Sequence, residues 1–425
     1  FGWGVTGNQQ IPDGRVISTY GGDRGDTFYD IGGSNTTIKP GSKLTSIGNA
    51  QLKWEENKSG NVGLDLEFLQ GRGLFTTDVY QRNTNNLLFD PRTPATAGSA
   101  SPPIVNIGKM KNTGIDFSIG YGSSPSARTT WRVTFNGSHY KNEIVKIDDQ
   151  GTRSFFGPIS LREQNPVINQ IGQPIGAFYG LVAEGYYKDS LDAAPFWDDG
   201  ARPGRIKFKD LNGDGHITAD DRTIIGSPHP DFTGGLDLSA HHGSWDVTAT
   251  VFGSFGGQIF NAQKYWTVFR YFDTNVRSDL LANSVKLDGP CAPLPAPPGG
   301  SSPGWNCPGK VTNPNALYPR LDQNDASFSR QFSSYWVESG TYVRLRTLQL
   351  AYTIPPSLVR WIPAARVYVQ AENLFTITGY SGLDPALPAW DVTGAAGDIR
   401  DQFRGVDEGS YPSNRIFTIG ITTSF

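Results

Sequence analysis

The chain has 425 residues, enough for one large β-architecture or for two to three ordinary domains. Its formal net charge of −3 gives no sign of the basic surface that nucleic-acid binding requires. Glycine (51 residues) and proline (29 residues) are frequent, and aromatic residues make up 12% of a chain that is only 37% hydrophobic. This mixture is typical of many strands joined by turns and argues against a helical protein.

The sequence contains no run of about 18 apolar residues, so it predicts no transmembrane helix. Strands of a membrane β-barrel remain compatible with it, because they carry only a weak signal of alternating residues. The first residues, Phe1-Gly-Trp-Gly-Val, are typical of a strand, and no signal peptide precedes them. We therefore expect the chain to be a piece of a longer protein.

Alternating apolar and polar residues predict most of the strands. In Asn61–Phe68 the apolar side chains Val62, Leu64 and Leu66 alternate with polar residues or glycine, and the last strand, ending at Phe425, has the same pattern. The predicted strands are 46–56, 61–70, 74–89, 105–121, 128–145, 231–241, 245–255, 341–354, 365–377 and 415–425. Such a pattern fits either a soluble sandwich or a membrane barrel, since both have one apolar strand face.

Connection lengths separate these two possibilities. Short connections near 70–73, 122–126, 241–244 and 355–358 alternate with long ones at 90–104, 146–230, 256–340 and 378–414. Glu56–Gly60 is an exception, a short connection on the side of the long ones. This alternation is typical of outer-membrane barrels, with short periplasmic turns and long extracellular loops. We therefore predict that the C-terminus is periplasmic, that 146–230 and 256–340 are extracellular, and that 262–286 forms a short helix.

One segment carries a metal-binding pattern. The segment from Asp210 to Asp221 matches an EF-hand loop at positions 1, 3, 5, 6 and 12, with Asp replacing the usual Glu at position 12. Calcium prefers six to eight oxygen ligands, and the predicted ligands are Asp210, Asn212, Asp214, Asp221 and the backbone carbonyl of His216. The shorter Asp at the last position predicts modest affinity and a structural role. The alternative is an Asp/Asn/Gly turn that binds nothing.

Two cysteines, Cys291 and Cys307, flank a Pro/Gly/Ser-rich stretch. A pair that closes one small loop predicts a disulfide formed in an oxidising compartment, the alternative being two free thiols.

Several ordered segments resemble the SusC/RagA group of TonB-dependent transporters. They are Thr6-Gly-Asn-Gln-Gln-Ile, Leu52-Lys-Trp-Glu, Asn106-Ile-Gly-Lys-Met-Lys-Asn-Thr-Gly-Ile-Asp, Pro174-Ile-Gly-Ala-Phe-Tyr-Gly, Pro203-Gly-Arg-Ile-Lys-Phe-Lys-Asp-Leu-Asn-Gly-Asp-Gly, Ile224-Ile-Gly-Ser-Pro-His-Pro-Asp-Phe, Tyr342-Val-Arg-Leu-Arg-Thr-Leu-Gln-Leu-Ala-Tyr and Glu372-Asn-Leu-Phe. No single segment is decisive, but their number and their order make the resemblance strong.

The resemblance implies an all-β fold: an antiparallel transmembrane β-barrel of about 22 strands, of which residues 1–425 supply the C-terminal part. It also implies a plug domain and a TonB-contacting segment outside this sequence. The implied partners are the TonB–ExbB–ExbD complex, a surface lipoprotein of the SusD type and outer-membrane lipid. The implied activity is active import of an oligosaccharide or a peptide, and no catalysis.

Two other functions remain open on the residues alone: a passive porin-like barrel, and a secreted, calcium-stabilised β-rich protein that binds glycans. The loop residues Trp197, Trp266, Trp305 and Trp390 could stack on sugar rings, but we favour packing roles for them. No substrate-binding residue is predicted.

Overall fold

The structure is a computed structural model. It describes the chain except at 9–12, 24, 31, 34–37, 90–99, 102, 149–150, 158–160, 162–163, 270–274, 290–291, 294–304, 307–308, 322–327, 356–363, 389–399 and 425. Among the described residues, no helix has the length and apolarity that crossing a membrane requires.

Strands dominate the described residues. In chain order they are β1 Gly2–Asn8, β2 Thr19–Gly21, β3 Tyr29–Asp30, β4 Ile38–Lys39, β5 Lys43–Ser46, β6 Glu55–Phe68, β7 Gly73–Phe89, β8 Val105–Gly122, β9 Thr129–Lys146, β10 Ser154–Phe156, β11 Val167–Gln170, β12 Ala177–Gly180, β13 Ala183–Tyr186, β14 Ile206–Phe208, β15 Thr223–Gly226, β16 Phe232–His242, β17 Trp245–Phe255, β18 Gln258–Asn261, β19 Ala292–Pro293, β20 Trp305–Asn306, β21 Val337–Ser339, β22 Tyr342–Ile354, β23 Ala364–Thr378, β24 Val406–Asp407 and β25 Ile416–Ser424.

The helices are all short. The α-helices are α1 Ser190–Ala193, α2 Lys264–Thr267 and α3 Leu280–Asn283, and the 3-10 helices are Ala194–Phe196, Ala219–Asp221, Ser334–Trp336 and Arg400–Phe403. The predicted helix over 262–286 is thus realised as two separate helices of four residues, α2 and α3.

The chain divides into two compact units, and the first contains Phe1–Phe155. In this unit β1, β6, β7, β8 and β9 pair in sequence order, all antiparallel. Strand β6 is continuous from Glu55 to Phe68, and its residues Lys58 and Gly60 pair with Asn83 and Gln81 of β7. The predicted connection at Glu56–Gly60 is therefore wrong. Turn-forming residues occur there, but ladder partners on both sides keep them extended, which removes the exception to the alternation of connection lengths.

The two faces of these strands differ. Val62, Leu64 and Leu66 on one face of β6 are 62%, 51% and 46% exposed. We call this the outward face. The inward face is covered near one end by residues 173–175, where Asn142 accepts a hydrogen bond from the backbone N–H of Ile175. An exposed apolar face of this extent is not the buried face of a soluble sandwich, but it fits a surface in contact with lipid.

The second unit contains Gly176–Pro388 and Phe403–Phe425. Within it β16, β17, β22, β23 and β25 also pair in sequence order and antiparallel. Residues 243–244 join β16 to β17 at one end of these strands, whereas 256–341 and 379–415 join the later strands at the opposite end. The outward face again exposes apolar side chains, with Phe417, Ile419 and Ile421 of β25 at 71%, 80% and 69%.

The long connections of the second unit fold into structures of their own. Strand β18 pairs antiparallel with β21 and parallel with β24, so it joins both ends of 256–341 to 379–415. A separate buried apolar cluster lies beneath the predicted calcium loop. Its buried members are Leu181, Tyr187, Ala193, Ala201, Ile206, Phe208, Ile217 and Phe328.

Candidate functional site

The Asp210–Asp221 segment follows β14 and ends in the 3-10 helix Ala219–Asp221. Its Asp and Asn side chains accept hydrogen bonds from backbone N–H groups two to five residues later in the chain. Asp210 accepts from Gly213 (2.6 Å) and Gly215 (2.9 Å), and Asn212 Oδ1 accepts from Asp214 (2.9 Å). Gly213 and Gly215 have φ angles of 76° and 82°, which only glycine adopts without strain. The sequence therefore folds here into the tight loop that the pattern predicts.

Asp221 closes the loop from inside. It is fully buried, and its carboxylate accepts hydrogen bonds from the backbone N–H groups of Leu211 (2.8 Å), Asn212 (3.3 Å) and Thr218 (2.8 Å). Burial opposes ionisation of this carboxyl, but the N–H groups outweigh burial and hold its pKa below the usual value. Asp221 thus remains a carboxylate at neutral pH and fixes the two ends of the loop together.

Asp199 attaches the loop to the rest of the unit. Its Oδ1 lies 3.1 Å from His216 Nδ1, and its Oδ2 accepts a hydrogen bond from the backbone N–H of Ile217 (2.9 Å). The hydrogen bond that His216 Nδ1 donates to the Asp199 carboxylate raises the pKa of the exposed imidazole. Next to it, Ile217 is only 6% exposed and packs in the apolar cluster. The sequence analysis missed Asp199, since it lies eleven residues before the loop and outside any motif.

The donor types of the loop suit calcium, which binds carboxylate, amide and carbonyl oxygens. Among the described residues, however, no three His, Cys, Asp or Glu side chains are grouped so as to hold a metal ion. Asp210, Asn212 and Asp214 accept backbone N–H groups within the loop, as Asp221 does. These side chains supply oxygens of the type that calcium binds, but they would have to exchange backbone hydrogen bonds for a cation.

A second group of polar residues fastens the long connections to each other. We call Asn261, Lys264, Glu338 and Ser381 the loop latch. Lys264 Nζ lies 2.9 Å from Glu338 Oε1 and also donates to the carbonyl of Tyr335 (2.6 Å). The same Glu338 accepts from Asn261 Nδ2 (3.0 Å) and from Ser381 N (2.8 Å) and Oγ (2.8 Å).

Ionisation of Glu338 stabilises the contacts of the loop latch at neutral pH. Burial raises the pKa of Glu338, but the Lys264 ammonium and the hydrogen bonds from Lys264, Ser381 and Asn261 together bring it below its usual value. Burial lowers the pKa of Lys264, and Glu338 opposes that shift. The ionised Glu338 carboxylate thus lies against the Lys264 amine, and the two groups compensate each other's burial.

Aromatic residues pack against the latch and close to the small sheet of β21, β18 and β24. Trp336 is fully buried, stacks at 5.8 Å on Phe260 and at 5.1 Å on Phe269, and meets Phe332 edge-on at 5.2 Å. Such pairs are worth about 0.5–1.5 kcal/mol each beyond the area they bury. The long connections are thus held by a core of their own.

Two of the four loop tryptophans, Trp197 and Trp266, have described side chains, and both contact a neighbouring side chain. The Arg202 guanidinium lies 3.8 Å from the centre of the Trp197 ring, and Trp266 meets Tyr265 edge-on at 5.2 Å. The side chain of Trp305, as well as Trp390, Cys291, Cys307 and Phe425, lies outside the described residues.

Comparisons with known proteins agree with this architecture. Residues 16–171 match the family model "TonB dependent receptor-like, beta-barrel". The whole chain is 30% identical to TonB-dependent receptor P3 of Formosa agariphila, of which it covers 39%, and 24% identical to TonB-dependent receptor SusC of Bacteroides thetaiotaomicron, of which it covers 37%. Among solved structures it superposes on one titled "Structure of the RagAB peptide transporter" with a TM-score of 0.73 at 25% identity, covering 100% of this chain and 40% of that one.

The fold and the comparisons point to one class: the chain is similar to the β-barrels of TonB-dependent receptors. More specifically, it is similar over its whole length to SusC and to the solved RagAB structure, as the sequence motifs predict. It spans about two fifths of the length of the curated relatives it matches.

Proposed function

We propose that the protein to which this chain belongs imports a bulky nutrient, an oligosaccharide or a peptide, across the outer membrane of a Gram-negative bacterium. The chain supplies barrel strands and extracellular loops. Energy comes from the TonB–ExbB–ExbD complex, and a surface lipoprotein of the SusD type is the partner at the loop end. Relatives named as TonB-dependent receptors and a structure titled as a peptide transporter support this proposal.

The observation that best supports the proposal is that the long connections of the second unit are themselves folded. They form a sheet, an aromatic core and a buried ion pair at one end of the strands, whereas two residues suffice to join β16 and β17 at the other end. A folded layer of connections at one end of the strands supports recognition of a bulky solute, because binding residues need a rigid scaffold.

The calcium ion belongs to this proposal as a structural element. Asp210, Asn212, Asp214 and the backbone carbonyl of His216 would hold it, with Asp221 as the closing ligand. Its role would be to make the loop rigid above the apolar cluster to which Ile217 belongs. No chemical step of transport depends on it.

Uptake by living cells tests the import function. A strain lacking the full-length gene would be compared with strains carrying the wild-type gene, the latch variant Glu338→Ala and the control Asp26→Ala. The control removes an ion pair with Lys43 that lies at the surface, outside the loop latch. Labelled oligosaccharide and peptide mixtures serve as substrates, with and without a protonophore. We expect uptake of one class to require the gene and the proton-motive force, to fall in Glu338→Ala and to persist in Asp26→Ala. Uptake that continues in de-energised cells would identify a passive pore.

A further inference from the structure

Three strands of the first unit share a spacing on their outward face. Each has an aromatic residue close to its short connection and a lysine ten residues away along the strand. The pairs are Phe68 and Lys58 on β6, Tyr121 and Lys111 on β8, and Trp131 and Lys141 on β9. Strand pairing is regular over these stretches, so alternation places the two members of each pair on the same face.

Most outward-facing residues between the members of each pair are apolar or glycine, although His139 lies between Trp131 and Lys141 on β9. Val62, Leu64 and Leu66 fill the interval on β6, and Ile115 and Ile119, 38% and 46% exposed, lie in the interval on β8. Ten residues of strand extend about 33 Å, which at the usual tilt of barrel strands corresponds to roughly 25 Å along the membrane normal. That is the height of the apolar band of a membrane barrel.

The aromatic end carries the features of a membrane interface. Tyr121 and Trp131 meet edge-on at 5.7 Å, and Arg72 donates to the Tyr121 hydroxyl (2.8 Å) with its guanidinium 5.2 Å from the ring centre. Trp131 remains 41% exposed. Aromatic residues of this kind mark the level where lipid tails meet headgroups.

The lysines therefore lie at the opposite headgroup level, on the side of the long connections. Lys58 on β6 pairs with Asn83 on β7, and Asn83 pairs with Lys111 on β8, so one strand separates the two lysines. Lys111 pairs in turn with Glu143 on β9. Lys58 and Lys111 are thus about 10 Å apart, two strand spacings. Lys141 is two residues from Glu143 on β9, on the same face.

The charge at this level is positive overall. Glu56 forms an ion pair with Lys58 (3.3 Å), and Glu143 stands opposite Lys111. Lys109, two residues beyond Lys111 and on the same face, adds a further positive charge. Four lysines and two carboxylates thus lie at this level of the outward face, at the height where phosphate groups of a lipid leaflet lie.

We propose that Lys58, Lys111 and Lys141 form a docking surface for the phosphate-bearing headgroups of the leaflet on the long-connection side. This inference rests on the membrane placement of the proposed function. Long lysine side chains can keep their methylene groups against acyl chains while the ammonium reaches a phosphate. The surface would fix the height of the barrel in the membrane and attach a specific class of lipid to it.

The experiment uses the full-length receptor in neutral detergent, with lipid binding measured by native mass spectrometry. The probe is diphosphoryl lipid A, and the same lipid without phosphates is the comparison. The test variant is Lys58→Gln/Lys111→Gln/Lys141→Gln. The control variant, Lys188→Gln/Lys286→Gln/Lys310→Gln, removes the same charge from exposed loop positions.

Each lysine near an anionic surface contributes roughly fivefold in affinity. We therefore expect at least tenfold weaker lipid A binding by the test variant, wild-type binding by the control, and little binding of the dephosphorylated lipid. Equal binding by the test variant, or equal binding of the dephosphorylated lipid, would overturn the proposal. Displacement of lipid A by an equal concentration of inorganic phosphate would also overturn it, because the surface would then recognise free phosphate.

Failure of this inference is distinguishable from failure of the import function. Uptake by the test variant is expected to equal that of the wild type, since the lysines face away from the lumen. Loss of lipid binding with uptake retained supports the docking surface, whereas loss of gene-dependent uptake bears on import alone.

Discussion

Arg344 on β22 and Asp384 in the 379–415 connection form a buried ion pair, with Arg344 Nη2 2.5 Å from Asp384 Oδ1 and both side chains less than 9% exposed. Ser413 completes the contact, since its Oγ accepts from Arg344 (3.0 Å) and its N–H donates to Asp384 (2.9 Å). The pair therefore fixes a long connection to a barrel strand.

Removing one partner of this pair should destabilise the loop strongly. Asp384→Ala leaves Arg344 buried without its carboxylate, which costs about 3–5 kcal/mol. Hydrogen exchange of residues 379–388 should then become much faster, and the free energy of unfolding should fall. As a control, Asp26→Ala removes an exposed pair with Lys43 and should change stability by less than about 1 kcal/mol. Equal effects of the two substitutions would show that the buried pair does not anchor the connection.

The loop latch should respond to acid. Because the folded-state pKa of Glu338 is lowered, its contribution to stability is complete above the ordinary glutamate pKa of 4.5 and is lost as pH falls through the folded-state pKa. Protease sensitivity of the 256–341 connection should therefore rise in this acidic range in the wild type. Glu338→Gln should be sensitive already at neutral pH and much less dependent on pH. A wild type whose sensitivity is constant throughout acidification would contradict a structural role for the Glu338 charge.

Calcium should make the Asp210–Asp221 loop rigid. We expect added calcium to slow hydrogen exchange of residues 210–221 in the full-length protein, and a chelator to reverse the effect. Asp214→Asn should abolish the response, since it removes a carboxylate ligand. Asp198→Asn, which changes an exposed carboxylate outside the loop, should retain it. No response in the wild type at millimolar calcium would leave the loop as a turn held by its own hydrogen bonds.

The cysteine pair should be a disulfide. Their described chain neighbours Ala292 and Asn306 pair in the β19–β20 ladder. A bond that closes a loop of this length stabilises a protein by about 3 kcal/mol. Peptide mapping without reductant should recover the two cysteines in one linked peptide, and Cys291→Ser/Cys307→Ser should unfold more readily. Labelling of both thiols by a maleimide in the unreduced protein would disprove the bond.

The main strands were predictable from sequence because one face had to be apolar. Val62, Leu64 and Leu66, or Phe417, Ile419 and Ile421, repeat with the period of a strand. The error at Glu56–Gly60 arose because Asn57, Ser59 and Gly60 favour turns, and only their partners on β1 and β7 reveal a continuous strand.

The long-range side-chain contacts that hold the loops in place were not predictable in this way. Glu338 meets Asn261 across 77 positions, and Arg344 meets Asp384 across 40. Such pairs depend on how the connections fold back, which no local pattern encodes. The Asp210–Asp221 loop was visible because its hydrogen bonds are local, but its anchor at Asp199 was not.

Lipid contact of the outward face is the claim on which the membrane placement depends. It can be measured with single spin labels introduced along β6 and β25 of the full-length receptor, in a Cys291→Ser/Cys307→Ser background and in lipid bilayers. Oxygen collision rates should be high at Val62, Leu64, Leu66, Ile419 and Ile421 and low at Asn61, Gly63, Asp65, Thr418 and Gly420, alternating with period two. Uniform rates, or high rates at the second set, would contradict a barrel whose apolar face meets lipid.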